Sequence, residues 1–367
     1  MSAARAIPLV LAALGTAGPL AAQDSQFGIR GLGTPGRWES VRARATGGAF
    51  AAFDALSPLT EAALLDLRRL TASAAEATSY RSAELAGQRV ALRTSRFPVM
   101  SLAGRLSGRL ALSGGFTTYL DRSYRATIRD SLPIRGSFEP YTDEVASDGA
   151  VSDMRLAAAI QLRPRLAVGA AVHLLEGSTR STATRRFDDS TTYQNAFERE
   201  QVRYDGFGVS ASAAADVTGS LRIVGWLRSD TRLRTTVSDV TVSRADLPTG
   251  VGGGVRWSPS PNARFAGTMA WRSWSDAGIN AHDAFAWSLG AELGSPEFPL
   301  RVGARGGQMA FGPGGTAPTE TGFAFGTARS FSEGRARIDF AVERLSRRGG
   351  GLEEGVWTIL VGLTVQP

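Results

Sequence analysis

From Thr71 onward, apolar side chains recur at every second position. In Arg335–Leu345, Ala336, Ile338, Phe340 and Val342 fall on one face, and Arg337, Asp339, Ala341 and Glu343 on the other. In Val356–Val365 the faces are Trp357, Ile359, Val361, Leu363, Val365 and Val356, Thr358, Leu360, Gly362, Thr364. Ala284–Leu293, Leu166–Leu174 and Leu300–Gly306 alternate in the same way. One apolar face and one polar or small face at period two is the pattern of strands. Short connections, such as Arg163-Pro164 and Thr218-Gly219-Ser220, alternate with long polar ones: Ser82–Gln88, Asp130–Gly149, Glu176–Glu200, Val237–Thr249, Asp276–Asp283, Gly312–Glu320 and Ser346–Glu354. The partition predicts about fourteen strands: 71–81, 89–106, 109–130, 149–163, 165–178, 199–218, 221–237, 249–258, 263–276, 283–294, 300–311, 320–332, 335–346 and 355–366.

Most of these exceed the roughly 5–6 residues of a soluble strand, and an even number suits a closed antiparallel sheet. In lipid every backbone N–H and C=O needs a partner, and a closed sheet has no edge. The expected fold is therefore an all-β transmembrane antiparallel barrel of about fourteen strands over residues 71–367, both termini on the short-turn side. Trp257, Trp271, Trp274, Trp357, Tyr119, Tyr124 and Tyr204, near strand ends, are expected in interfacial girdles. The alternative is a soluble secreted sandwich or propeller; a propeller needs a repeat of about 40 residues, and none is present. Before the strands, Ser57 and Pro58 suit a helix start, Glu61 its positive end, and Ala62, Ala63, Leu64, Leu65, Leu67 and Leu70 an apolar stripe. A short N-terminal helix is expected there, within residues 23–70.

Residues 1–22 have the form of a secretory signal peptide: Arg5, an apolar run from Ala6 to Leu14, and Pro19-Leu20-Ala21-Ala22 before the expected cut. No later segment reaches the roughly 18–20 apolar residues of a membrane helix. The chain has no Cys, which excludes a disulfide scaffold, a thiolate metal site, a cysteine nucleophile and a lipobox. All 41 basic residues are Arg, and the net charge is +7. Such a balance would ordinarily suggest nucleic acid, but an exported chain is not expected to meet it. Arg180, Arg185, Arg186, Arg199, Arg203, Arg347 and Arg348 in the long loops suit either lipopolysaccharide phosphates or plain solvation. With two His, no G-x-S-x-G and no ligand spacing, neither an enzyme, a metal nor a cofactor is expected, although a Ser–His pair across strands is left open.

Arg44-Ala45-Thr46-Gly47-Gly48-Ala49-Phe50, followed by Phe53–Leu59 and Ala62-Ala63-Leu64, resembles the N-terminal signature of FadL-type outer-membrane transporters for long-chain fatty acids and aromatic hydrocarbons. In that family a "GGAF" run leads into an Asn-Pro-Ala turn and a short helix; Ser57-Pro58-Leu59 stands here in place of that turn. Leu247–Pro259 with Ala263–Asp276 resembles a hairpin of the same family. The resemblance implies a multi-pass barrel in the outer membrane of a Gram-negative-type bacterium, an N-terminal plug, and the barrel-assembly machinery, outer-membrane lipid and lipopolysaccharide as partners. It further implies passive uptake of a hydrophobic ligand, with a plug shift and a lateral exit through the wall.

The residues then offer three groups of candidates. Plug candidates are Gly47, Gly48, Phe50, Ser57 and Pro58, the glycines serving either a hinge or a tight turn. Wall-break candidates are Pro98, which cannot donate to a ladder, and Gly114-Gly115; Pro98 also reads as a tolerated bulge. Lumen charges are Arg301, Arg305, Arg337, Asp339 and Glu343, either an interior ladder of opposite charges or a carboxylate-binding cluster. The alternative function is a barrel scaffold for a secretion or surface-assembly system, without transport.

Overall fold

The computed structural model describes residues 25, 27, 31–85, 88–278, 281–312 and 315–367; the expected signal peptide lies outside them. Fourteen strands close into one antiparallel barrel: β1 Thr71–Leu85, β2 Gln88–Arg105, β3 Leu110–Asp121, β4 Ser137–Arg163, β5 Leu166–Phe187, β6 Ala196–Asp216, β7 Leu221–Asp230, β8 Thr249–Ser260, β9 Ala263–Arg272, β10 Ala284–Ser295, β11 Phe298–Gln308, β12 Thr319–Phe331, β13 Ala336–Gly349 and β14 Leu352–Val365. Closure is made by β14 on β1, from Leu352↔Leu85 to Val365↔Ala72. Further short strands add to this wall: Tyr124–Ile134 continues beside β4, and the hairpin Arg232–Val237/Val240–Asp246 adds to the far end of β6.

The main differences from the expected boundaries lie on the long-loop side. Ser346–Glu354 is a tight hairpin, not a loop, and β1 and β2 stay paired out to Leu85↔Gln88. Arg347 stands opposite Glu354 and Arg348 opposite Glu353, so charges read as a solvated loop are cross-strand ion pairs. Likewise β4 and β5 run on through the polar stretches, where Asp143 takes a bidentate contact from Arg185. A strand solvated on both faces carries no period-two signal, so its polar continuation looked like loop.

The faces are those of an inverted barrel. Leu156, Val172, Val209, Leu289, Phe325, Phe340 and Ile359 are exposed outside, while Ala159, Ala324, Ala341, Arg301 and Glu343 are buried inside. Trp257, Trp271 and Trp357 are outward; Tyr119, Tyr204 and Trp274 are not on a girdle but buried inside, where Tyr119 and Trp274 pack with Trp38 and Phe311. An aromatic at a strand end has two faces to choose from, and here the chain running through the interior supplies inner partners.

That inner chain, about residues 34–67, contains helix α1, Val41–Ala45, capped by Ser40, whose Oγ accepts from the Ala43 N–H at 3.1 Å. Five residues are too few for a helix to persist alone, so packing must hold it. Gly47 and Gly48 have φ of +67° and +98°, and they turn the chain flat against the wall. Gly303 on β11 meets this turn so closely that a Cβ would lie 2.0 Å from the Thr46 carbonyl carbon. Phe50 is buried in the inner cluster with Phe53, Leu64 and Trp226.

The helix expected after Ser57 is not formed. Ala62–Asp66 is a single 3-10 turn, and the Ser57 hydroxyl accepts from the Ser40 N–H at 3.0 Å instead of capping. The reason is tertiary: the Glu61 and Ala62 N–H groups donate to Ser212 Oγ on β6, at 2.8 and 3.0 Å, and need no helical cap. Among the described residues no helix is long and apolar enough to cross a membrane.

Gly303→Val should cost about 1–3 kcal/mol by overpacking the α1 turn. Denaturant titration of the folded barrel, with protease access to residues 45–50 as the local readout, checks it; unchanged access would contradict the packing.

Candidate functional site

The wall is interrupted between β2 and β3. Strand β2 pairs with β1 throughout, with a bulge where Phe97 and Pro98 stand opposite Glu76. It pairs with β3 only from Arg105↔Ala111 to Val99↔Thr117. Pro98 is the next residue, and it has no N–H to continue the ladder. Toward the long loops, the inner chain takes up what β2 leaves: Thr34 and Pro35 pair with Asp121 and Leu120, and the Gly36 N–H donates to the Tyr119 carbonyl at 2.8 Å. Gly36 lies so close that a Cβ would stand 1.9 Å from the Thr118 oxygen. Arg96 crosses the interruption, ion-paired to Asp121 and donating to Ser123 Oγ at 3.0 Å. A cavity of about 110 Å³ opens behind it, lined by Pro35, Arg37, Arg96, Pro98, Thr118 and Asp121.

Gly114 and Gly115 are not a break. They pair with Leu102 and Ser101 on one side and with Leu156 and Arg155 on the other. Extended glycine keeps both its N–H and its C=O, so losing a side chain does not interrupt the sheet; losing a donor does. They border a narrow cleft instead, facing Ala55, Leu56 and Pro58 of the inner chain.

The five lumen charges point inward and fall into two networks, each tied to the inner chain. Glu343 accepts from Arg44 and, at 2.9 Å, from Arg37, while Arg305 contacts Glu320 at 2.9 Å and Glu39 at 3.7 Å. Arg301 bridges Glu292 at 3.0 Å and Asp339 at 2.6 Å; Arg337 also reaches Asp339, and Arg42 of α1 reaches Glu292 at 2.9 Å. Arg301, Arg305 and Arg337 each hold a carboxylate, which is a ladder of alternating charge. Burial pushes the Glu39 carboxyl up, but the Arg37, Arg305 and Arg44 guanidiniums outweigh it and hold it at about 2.

A third polar cluster was not visible as a motif. Glu61, fully buried on the inner chain, accepts from Arg155 Nη2 and Ser210 Oγ on Oε1, both at 2.7 Å, and from Ser212 Oγ on Oε2 at 2.6 Å. Burial pushes the Glu61 carboxyl up, and Arg155 with the two serines brings it below the usual range. Behind Ser210, His173 Nε2 lies 2.8 Å from its Oγ, and His173 Nδ1 lies 2.9 Å from Asp153. Arg228 in turn holds Asp153 at 2.8 Å and Asp230 at 2.9 Å. Asp153, His173 and Ser210 sit on three adjacent strands, so only register joins them; the period-two alternation of Leu166–Leu174, which sets His173 on the face opposite Val172, is the signal that residue order offers. His282 lies in the loop after β9.

The inner chain borders two larger spaces. One, of about 590 Å³ toward the termini, is lined by Arg42, Asp54, Asp66, Arg256, Arg337 and Asp339 among others. The other, of about 190 Å³ toward the long loops, includes Arg37, Trp226, Arg272, Trp274 and Arg305.

No family model matches the chain, and no curated protein sequence matches it. Solved structures do. A Pseudomonas aeruginosa FadL homologue aligns at 10% identity over 91% of this chain and 99% of its own, with a TM-score of 0.64. The P. putida toluene transporter TodX aligns at 12% over 92% and 99%, TM-score 0.61. The CymD monoaromatic hydrocarbon channel aligns at 14% over 92% and 99%, TM-score 0.58. The chain has the fold of FadL-type outer-membrane transporters.

Arg96→Ala removes a side chain that ties β2 to Asp121 and Ser123. A half-buried pair of this kind is worth about 1 kcal/mol, so leak of a small dye from loaded vesicles should rise about fivefold. Acidification tests the second tie. Glu39 and Glu61 have folded values below their unfolded ones, so their contribution is complete above about pH 4.3 and is lost as pH falls through the folded values. Pepsin cleavage of the inner chain should therefore be absent at about pH 4.5 and appear as pH falls, toward about 2 around Glu39, and Glu61→Gln should shift the onset near Leu64-Leu65 upward.

Proposed function

We infer that the protein is an outer-membrane barrel of a Gram-negative-type bacterium that conducts hydrophobic small molecules passively, releasing them through the wall between β2 and β3. The observation that carries this reading is the ladder's stop at Val99↔Thr117, with Pro98 beyond it and Thr34–Gly36 drawn across the interruption. An apolar solute gains nothing from a water-filled pore that ends in water; an exit sideways returns it to acyl chains. The outward apolar face supports a lipid setting, and the fold neighbours TodX, a toluene transporter, and CymD, a monoaromatic hydrocarbon channel, support the passenger class.

In this reading residues 34–67 are the plug. Gly47 and Gly48 set its turn, Phe50 its packing, and Ser57 and Pro58 the bend that faces the wall. Thr34–Gly36 cover the exit and Arg96 latches it. Long-chain fatty acids and neutral aromatic hydrocarbons both belong to the class. The lumen arginines Arg301, Arg305 and Arg337, each already paired, favour an interior ladder over a head-group site. A docking scaffold calls for a filled lumen, and the spaces of about 590 and 190 Å³ support passage instead. In this reading outer-membrane lipid surrounds the apolar face, lipopolysaccharide phosphates suit exposed arginines such as Arg180 and Arg199, and assembly machinery inserts the barrel.

Two measurements test the reading. Because the chain has no Cys, Arg96→Cys with Asp121→Cys allows a short bismaleimide to seal the interruption. Vesicle uptake of a labelled fatty acid and of an aromatic hydrocarbon should fall about tenfold or more on sealing, the factor of some 1.4 kcal/mol, and unsealed protein should retain it. Uptake that ignores the seal would move the exit elsewhere, and no uptake by inserted protein would favour the scaffold. Leu289→Arg, on the outward face, should cost about 2–4 kcal/mol in a bilayer if that face meets lipid.

A further inference from the structure

The cluster beneath Glu61 has no part in passage as described, yet its connectivity is that of a nucleophilic relay. Ser210 Oγ, His173 Nε2, His173 Nδ1 and Asp153 follow one another at 2.8 and 2.9 Å, the order in which a serine is activated by an imidazole that a carboxylate orients. His173 and Asp153 are almost fully buried, and Arg228 fixes the far side of Asp153. Such burial and bonding hold the imidazole in a single orientation, as general base chemistry requires.

Glu61 shows what else the site can hold. Its carboxylate lies against Ser210 Oγ with Oε1, and Arg155 and Ser212 donate to its two oxygens. A carboxylic acid just released from a seryl ester would sit in this way, its oxygens held by a guanidinium and a hydroxyl. Arg155 is itself almost fully buried, and its Nε has no partner among the described residues. The guanidinium thus has donor capacity that Glu61 leaves unused. While Glu61 is present, the Ser210 hydroxyl donates to it, so Ser210 accepts from His173 instead of giving it a proton. The relay faces the wrong way until the carboxylate leaves. All the donors stand on the wall, on β4, β5 and β6, and only the occupant stands on the inner chain.

We propose that Ser210, His173 and Asp153 form a serine hydrolase site for carboxylic esters of apolar acids, held silent by Glu61 as an internal product mimic. As Glu61 withdraws it takes up the Ser210 proton while His173 Nε2 returns its own to Ser210, leaving a neutral imidazole whose Nδ1–H still faces Asp153; Ser210 Oγ then attacks the ester carbonyl carbon and its proton passes to His173 Nε2. The developing oxyanion lies where Arg155 and Ser212 now hold Glu61. The bond to the alcohol oxygen breaks, and the alcohol leaves with the proton from Nε2. Water then attacks the acyl-serine and gives a proton to Nε2. The acid leaves, and Ser210 recovers its proton. Asp153 is a positioning residue throughout.

The test uses the full folded chain in vesicles, with a fluorophosphonate probe that labels activated serines and a p-nitrophenyl ester as substrate. Neither readout depends on passage, so failure here and failure of the transport reading are distinguishable. Glu61→Ala should label Ser210, identified by peptide mapping, at least about tenfold faster than the parent chain, a factor within the range of coupled sites. Adding His173→Gln to Glu61→Ala should cut labelling and ester turnover about a thousandfold, as loss of a relay member does, and adding Ser210→Ala should abolish labelling. Heat-modified gel migration confirms that each variant is folded. Folded Glu61→Ala that takes no probe, labelling indifferent to His173→Gln, or probe found on Ser212 would each overturn the proposal.

Discussion

Backbone hydrogen bonding within the wall is the constraint on which the rest depends. A strand surrounded by acyl chains has no water to satisfy its N–H and C=O groups, so each must be matched by a neighbour. Fourteen strands leave no open edge by closing β14 onto β1, as the proposed lipid setting requires. The constraint also gives meaning to the stop in the β2–β3 ladder. Beyond Val99↔Thr117 the edges of β2 and β3 part, and Thr34, Pro35 and Gly36 supply hydrogen bonds that β3 lacks. A chain that completes a wall by lending it a few residues can also withdraw them, and a covalently continuous strand cannot.

The interior obeys a different balance. The inner chain is docked by close contact, where glycines such as Gly303 admit the Thr46–Gly48 turn, and by charge, where Arg37, Arg42, Arg44 and Glu61 meet partners on the wall. Close contact alone would make a static core. Ion pairs in a partly hydrated lumen are costly to break one at a time but can exchange partners. The same chemistry that holds the segment over the β2–β3 interruption and the Ser210 cluster is what the proposed release has to break.

Much of the barrel was legible in residue order. Period-two alternation in β10, β13 and β14 separates greasy outward positions from small or charged inward ones, because a strand exposes its two faces to two different media. Alternation fell silent where both media were water: the long-loop ends of β4 and β5 and the Arg347/Glu354 hairpin read as loop. Glycines at 114 and 115 suggested a break, but a donor is what a ladder needs. Ser57 to Leu70 carried every local sign of a helix, yet Ser212 offered the Glu61 and Ala62 amides a partner on the wall, and the helix had no remaining advantage.

Residue order alone thus determined the fourteen strands of the barrel, though not the short strands added to it, the greasy face of strands such as β13 and β14, and that Pro98 cannot extend a ladder, since these follow from covalent structure and local periodicity. Only the tertiary structure decided where Pro98 falls relative to β3, which carboxylate each inward arginine meets, and that Ser210, His173, Asp153 and Glu61 share one site. Register between strands and the path of the inner chain settle those matters. Both arise from contacts between residues up to some three hundred positions apart, such as Arg37 with Glu343, which no local pattern encodes.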